Sequence, residues 1–152
     1  MSTGTFDLVR RHFNTHDAFA RHMGIEMLEV KSGYARAAMP LEAAQKNGVG
    51  LAHGGAIFGL ADVAFGGACN AGGTLALGIT SSINYMAAAT VGPLMAEARE
   101  LRRSRKVGHY EVCIFDGNGA LIAVSHATAY FRGDALPGVP DNGPLAGYHH
   151  EK

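Results

Sequence analysis

The chain of 152 residues has no surplus charge: thirteen lysines and arginines face thirteen aspartates and glutamates. With no net sign, nothing global draws it to DNA, RNA or an anionic membrane, so any electrostatic binding must be local. Cysteine is scarce. Cys69 and Cys113 cannot make a disulfide framework, and the opening stretch MSTGTFDLVRRHFNTHD lacks the apolar run of a secretory signal. Both absences point to a reducing, cytoplasmic setting. Metal-ligand spacing is also missing, because His109, His126, His149 and His150 are scattered apart from the adjacent tail pair, which alone is weak. No metal is expected. Neither Gly54-Gly55 nor Gly72-Gly73 completes a dinucleotide-binding or P-loop fingerprint. Residues 48–80 are long and poor in charge, and Gly55 and Gly59 are spaced as in membrane helix dimers. Even so, His53, Asp62, Asn70 and Gly72-Gly73 interrupt every span of the roughly 20 residues that a bilayer core demands.

What is present suits one domain with a real core, since 47% of the residues are apolar. Residues 5–22 read as one or two short helices, with Thr15 or Asp17 able to cap the second. The period then changes. Ile25 and Met27 alternate with Glu26 and Glu29, Lys31-Ser32-Gly33 signals a turn, and a return run reaches Met39 before Pro40 stops it. A loop to Ala52 leads into a long helix ended by Gly72-Gly73, and strand-like runs follow over 75–86, 94–103 and 109–115. Asp116 to Gly119, DGNG, predicts a hairpin turn into a last strand near 120–131. The expected domain is 1–132, and the Pro- and Gly-rich stretch 133–152 is expected to be a loose tail. Connections this short exclude parallel crossovers, so the class is α+β with a mostly antiparallel sheet and one long helix.

The long helix carries the chemistry. Ile57, Leu60, Ala61, Ala64, Phe65 and Ala68 recur at three- and four-residue steps and form the face toward the sheet. Gly55, Gly59, Asp62, Gly66 and Asn70 share the opposite side. Glycine costs about 1 kcal/mol relative to alanine inside a helix, so glycines there imply that a second copy of the helix or a ligand packs close. An acid in such a contact is costly without partners or a job; it is either a structural acid, hydrogen-bonded or ion-paired, or a functional one. The helix start, LAHGG, gathers unpaired N–H groups and the positive end of the helix dipole, where a carbonyl oxygen would be polarised. Asp62 lies about two turns on, roughly 10 Å of rise. For it to reach the same carbonyl, a second chain must contribute: the helix start from one subunit, the acid from the other.

NGVGLAHGGAIFGLADVAFGGACN, Asn47 to Asn70, resembles the signature of hotdog-fold thioesterases of the phenylacetic-acid-degradation, PaaI-like type. The resemblance runs from FARHMGI, Phe19 to Ile25, through the final strand. It implies a sheet wrapped around the central helix, a homodimer that often pairs again into a tetramer, and hydrolysis of acyl-CoA or aryl-acetyl-CoA thioesters at the subunit interface. Asp62 would be the catalytic carboxylate, as base on water or as nucleophile; Gly54 would supply the polarising N–H, Asn47 would orient the water or the carboxylate, and His53 is mainly a helix-start residue. Gly55 and Phe58 would sit beside the substrate. No cofactor is implied, because CoA is part of the substrate. Some relatives carry a serine at the position of Gly78, and Thr80, taken to lie on the same strand face, is the candidate replacement. The Pro-containing step common after the strand aromatic is here Ala87-Ala88.

Five of the thirteen basic residues, Arg99, Arg102, Arg103, Arg105 and Lys106, fall at a predicted turn. Charged turns are often only solvated hairpin ends. Arginine forks nonetheless suit the phosphates of CoA, and Arg103, Arg105 and Lys106 are favoured for that role. Cys69 lacks a base partner and reads as a buried thiol, while Tyr85 and Met86 read as core. Two rival readings remain: a hotdog dehydratase or hydratase, which would want a histidine paired with the acid, and a non-catalytic acyl-CoA-binding or regulatory hotdog protein, which would have lost the acid.

Overall fold

A computed structural model describes residues 4–140. Two helices, α1 (Thr5–His16) and α2 (Ala18–Met23), precede the hairpin of β1 (Glu26–Lys31) and β2 (Tyr34–Met39). A single 3-10 turn, Ala43–Gln45, interrupts the loop to the long helix α3 (Gly54–Cys69), and β3 (Thr74–Tyr85), β4 (Leu94–Arg103), β5 (Val107–Phe115) and β6 (Leu121–Ala135) complete the order. The six strands make one antiparallel sheet in the order β1-β2-β4-β5-β6-β3, wrapped on α3. This is the hotdog architecture. No helix among the described residues is long and apolar enough to cross a membrane.

Burial, rather than strand propensity, shapes the sheet. Ala35, Ala37, Ala96, Ala98, Ala123 and Ala129 are poor strand formers, yet all are fully buried on the face that meets the helix. Small side chains let α3 settle close, and Leu60, Ala64 and Phe65 fill the space from the helix side. Beyond the helix, Asn70 ties the structure together: its Nδ2 donates to the carbonyls of Gly66 (2.9 Å) and Ala76 (3.2 Å), and its Oδ1 accepts from the Ala76 N–H (2.9 Å). The helix therefore stops at Cys69 with Asn70 as its cap, before the expected Gly72-Gly73. Gly73 serves the next turn, where φ is +87°.

The glycine side of α3 is covered from within the chain, which corrects the expectation of a second helix or a ligand there. A β-carbon on Gly59 would lie 2.7 Å from the Phe19 ring, and one on Gly66 would lie 2.9 Å from the Phe13 ring. The α1–α2 arm thus claims this face. Asn14 docks it by donating from Nδ2 to the Met27 carbonyl (3.0 Å) and accepting the Met27 N–H at Oδ1 (2.7 Å), and Asp17 caps α2 by accepting from Ala20 N (2.9 Å). At the other end, β6 continues to Ala135, past the domain limit expected at 132, and Leu136 and Val139 are buried. The rest of the expected tail, residues 141–152 with His149 and His150, lies outside the described residues.

Candidate active site

The start of α3 is locked by its neighbours in a way that leaves one donor over. His53 is the N-cap, and its Nδ1 accepts the Gly55 N–H at 2.8 Å. The His53 carbonyl accepts from Ala56 N (2.9 Å) and Ile57 N (3.0 Å), and the His53 N–H donates to the Gln45 carbonyl (2.8 Å). In a trans peptide the N–H points opposite the carbonyl, so the Gly54 N–H is aimed out of the helix end. It makes no hydrogen bond among the described residues. His53 therefore acts as a cap, and Gly55 has its own N–H occupied.

Asn47 lines the same groove, about 300 Å³ in volume, together with Gly54, Ile57 and Tyr85. Its Oδ1 accepts from Val49 N (3.0 Å) and Leu51 N (3.1 Å), which fixes the amide and leaves Nδ2 as the end free to donate. Ala87 and Ala88, which replace the Pro-containing step, lie along this groove as well. Tyr85 and Met86, expected in the core, are 52% and 57% exposed. The Tyr85 hydroxyl donates to the Gly54 carbonyl at 2.9 Å. No periodicity argument could have found that contact, because it joins the last residue of β3 to the first of α3.

Asp62 opens into a different groove of about 340 Å³, with His12, Phe13, His16 and Asp17 from the arm on one side and Leu75 to Gly78 on the other. Its side chain is open to solvent in the single chain, yet the surrounding protein removes enough water to raise the carboxyl above its ordinary range, and the nearby Asp17 charge adds to this. It has no ion pair or hydrogen bond among the described residues. The reading of Asp62 as a structural acid thus finds no partner. Cys69, on the same side, is buried, which pushes its thiol up to about 12; the Asp62 charge acts in the same direction. It is inert. Phe58 is half-buried and lines neither groove.

Thr80 is misplaced by the expected strand alternation. Gly78 pairs with Ala129 and Thr80 with Thr128, adjacent rungs, because the ladder shifts between them at Ile79. A bulge of this kind turns the following residue to the other face. Gly78 meets the Phe65 ring on the helix side, whereas Thr80 faces outward; Ser81 is the inward hydroxyl, 3.3 Å from Ser125 Oγ. Of the favoured basic residues, Arg103 is half-buried with its guanidinium 3.6 Å over the Phe131 ring, while Arg105 and Lys106 are exposed at the β4–β5 turn. No group of three or more His, Cys, Asp or Glu among the described residues could hold a metal ion.

The six-stranded antiparallel sheet wrapped on α3 defines the class as a hotdog domain, and Asp62 and the Gly54 N–H, unpartnered among the described residues, are its candidate chemistry. Comparison with known proteins agrees. Residues 49–123 match the Thioesterase superfamily. An Archaeoglobus fulgidus protein provisionally described as an esterase is 36% identical over 130 residues, 85% of this chain and 84% of that one. The acyl-coenzyme A thioesterase PaaI of Escherichia coli is 27% identical over 124 residues, covering 81% of this chain and 89% of that protein. The structure of the E. coli PaaI protein from the phenylacetic acid degradation operon superposes with a TM-score of 0.82 at 26% identity, over 86% of this chain and 96% of that one. A variant of the Thermus thermophilus phenylacetic acid degradation protein PaaI gives a TM-score of 0.68 at 29% identity, over 74% and 97%. The chain belongs to the thioesterase superfamily of hotdog-fold thioester hydrolases, in its PaaI-like branch.

Proposed function

We propose that the protein is an acyl-CoA thioesterase whose active site is shared between two copies. The observation that carries this reading is the division of the chemistry: Asp62 and the donors Gly54 and Asn47 open into separate grooves of one chain. One protomer would present the thioester carbonyl to the Gly54 N–H and the Asn47 amide, and Asp62 of the other would complete the site. The edge strand β3 is the surface that suits such pairing, since it ends the sheet with an unpaired edge and exposes Leu77 and Ile79.

In the reaction, Asp62 takes a proton from water as the water oxygen bonds to the carbonyl carbon, and negative charge develops on the carbonyl oxygen at the helix end. Collapse re-forms the carbonyl and breaks the carbon–sulfur bond; the CoA thiolate leaves, takes up the proton that Asp62 held, and the free acid is released. Attack by Asp62 itself, with water then cleaving the resulting anhydride, gives the same products. The raised pKa makes the carboxylate more basic, which assists either route. The Asp62 groove, walled by Phe13, Val63, Leu75 and Leu136, suits a ring-bearing or medium-chain acyl group, and Arg105 and Lys106 suit the CoA phosphates. Such a substrate, together with the scarcity of cysteine, fits a cytoplasmic enzyme.

The test is release of free CoA thiol from a panel of aryl-acetyl and straight-chain acyl-CoAs by the wild type and by Asp62→Asn. Turnover by the wild type, and a loss of about a hundredfold or more in the variant with assembly unchanged, is the expected result. Tight acyl-CoA binding by the wild type with no thiol release would instead establish a binding or regulatory protein.

A further inference from the structure

We infer that Tyr85 is a positioning residue for catalysis, clamping the first turn of α3 so that the Gly54 N–H stays aimed at the thioester oxygen; this rests on the thioesterase reading above. The clamp has two contacts. The phenol donates to the Gly54 carbonyl at 2.9 Å, and the ring edge lies where a side chain on residue 54 would be, 3.3 Å from the place of a β-carbon. Gly54 has no left-handed backbone angle, so conformational freedom does not explain the glycine. A methyl there would crowd the Tyr85 ring and push its hydroxyl off the Gly54 carbonyl.

A packing role does not account for Tyr85, because half of the residue is exposed and its hydroxyl could be satisfied by water. What sets it apart is the stiffness of its own backbone. Tyr85 pairs with Ala123 in the β3–β6 ladder, and the next two N–H groups, of Met86 and Ala87, both donate to the Ile122 carbonyl (2.8 and 3.2 Å). The helix start is tied down more locally, through the Lys46–Ala52 bridge of loop 46–53 (His53 N to the Gln45 carbonyl and Asn47 N to the Leu51 carbonyl, 2.8 Å each) and Ala52 N to the Ala89 carbonyl (2.9 Å), so the Tyr85 hydroxyl adds a bond from β3 to Gly54 itself. Tyr85 therefore transmits the position of the sheet to the helix end, at the residue whose amide must meet developing charge. Oxyanion stabilisation depends on donors fixed before the reaction, so loosening this one costs more in the transition state than in substrate binding.

Tyr85→Phe keeps the ring and removes the hydroxyl. It is expected to lower kcat for CoA release about five- to tenfold with KM within about twofold, the size of one net hydrogen bond expressed in the transition state. A second readout isolates positioning from stability. In the Asp62→Asn background, where the thioester stays intact, the infrared band of a carbonyl-¹³C acyl-CoA bound to the protein should move to higher frequency on adding Tyr85→Phe, as polarisation of the carbonyl weakens. An unshifted band, or an unchanged kcat, in an otherwise active enzyme overturns the role of Tyr85 and leaves the thioesterase reading intact. A wild type that releases no CoA from any acyl-CoA overturns both.

Discussion

Asn70→Ala gives a sharp test of how α3 is fastened to the sheet. Asn70 is 4% exposed, and its side chain makes three hydrogen bonds to backbone: two from Nδ2, to Gly66 and Ala76 carbonyls, and one accepted at Oδ1 from Ala76 N. The two bonds to Ala76 are buried and that to Gly66 is part-buried, all of ordinary length, so at about 1 kcal/mol apiece the truncation should cost about 3 kcal/mol. The Gly66 carbonyl keeps the Asn70 N–H at 3.1 Å, which prevents a larger loss there. For a domain of this size the cost corresponds to a fall in thermal midpoint of roughly 6–12 °C. Urea unfolding followed by far-ultraviolet circular dichroism, at one fixed protein concentration so that self-association does not move the midpoint, measures it. Asn70→Asp should lose more near neutral pH than in acid, because it keeps the acceptor for Ala76 N but sets a negative charge against two carbonyl oxygens. A cost below about 1 kcal/mol for the alanine variant would refute the argument that these three bonds, rather than apolar packing, hold the end of the helix.

Two further outcomes follow from the same structure. The folded state raises the Asp62 pKa, so ionising this group opposes folding; the penalty is absent below its ordinary pKa and enters as pH rises through the folded value. Asp62→Asn should accordingly be at least as stable as the wild type near neutral pH, with the difference vanishing in acid, in urea titrations at both pH values; a less stable variant at neutral pH would mean that the carboxylate has a hidden stabilising partner. Gly67→Ala should be destabilised by about 1–3 kcal/mol, because the new methyl would lie 2.6 Å from Met27 Cε and 2.9 Å from Ala35 Cβ in a closed core. Gly59→Ala meets only the half-exposed Phe19 ring, which can swing away, so the helix propensity of alanine should offset most of its clash. Equal midpoints for these two variants would show that the two sides of α3 do not differ in tightness.

The parts of the fold that obey a short period were legible in the sequence. The DGNG turn is one: Asp116 Oδ1 accepts from both Asn118 N and Ala120 N (2.9 Å each), the side-chain geometry that the residue types announce. The wheel of α3 likewise separated a core face from a glycine face. It could not say what covers the glycines, since Phe19 and Phe13 reach them from helices 40 and 53 residues upstream, and a tertiary contact leaves no mark in the period. The Thr80 placement failed for a local reason: one extra residue at Ile79, directly after Gly78, inverts the alternation, and although a glycine inside a strand often marks a bulge, an ungapped period-2 register takes no account of it. At the site, the helical wheel singled out Asp62 and the unpaired amides of the LAHGG helix start, while the particular roles of Gly54 and Asn47 came only with the family resemblance; Tyr85 belongs to the end of another element and resembled core.

The arm of α1 and α2 has a consequence for how such a protein changes over time. Residues 12–17 border the groove beside Asp62, yet no residue of the arm belongs to the six-stranded ladder. A contiguous stretch near the amino terminus can therefore vary on its groove side without touching the strand ladder or the helix start, provided the core anchors Val9 and Ala20 and the Asn14 bonds to Met27 are kept; a change at Asp17 would also reach the Asp62 carboxyl. On the proposed function, acyl preference and bond-breaking machinery would in this way be heritable separately. Transplanting the first two dozen residues between two proteins of this architecture should carry selectivity across, while the rate for a small, unselective thioester stays with the recipient.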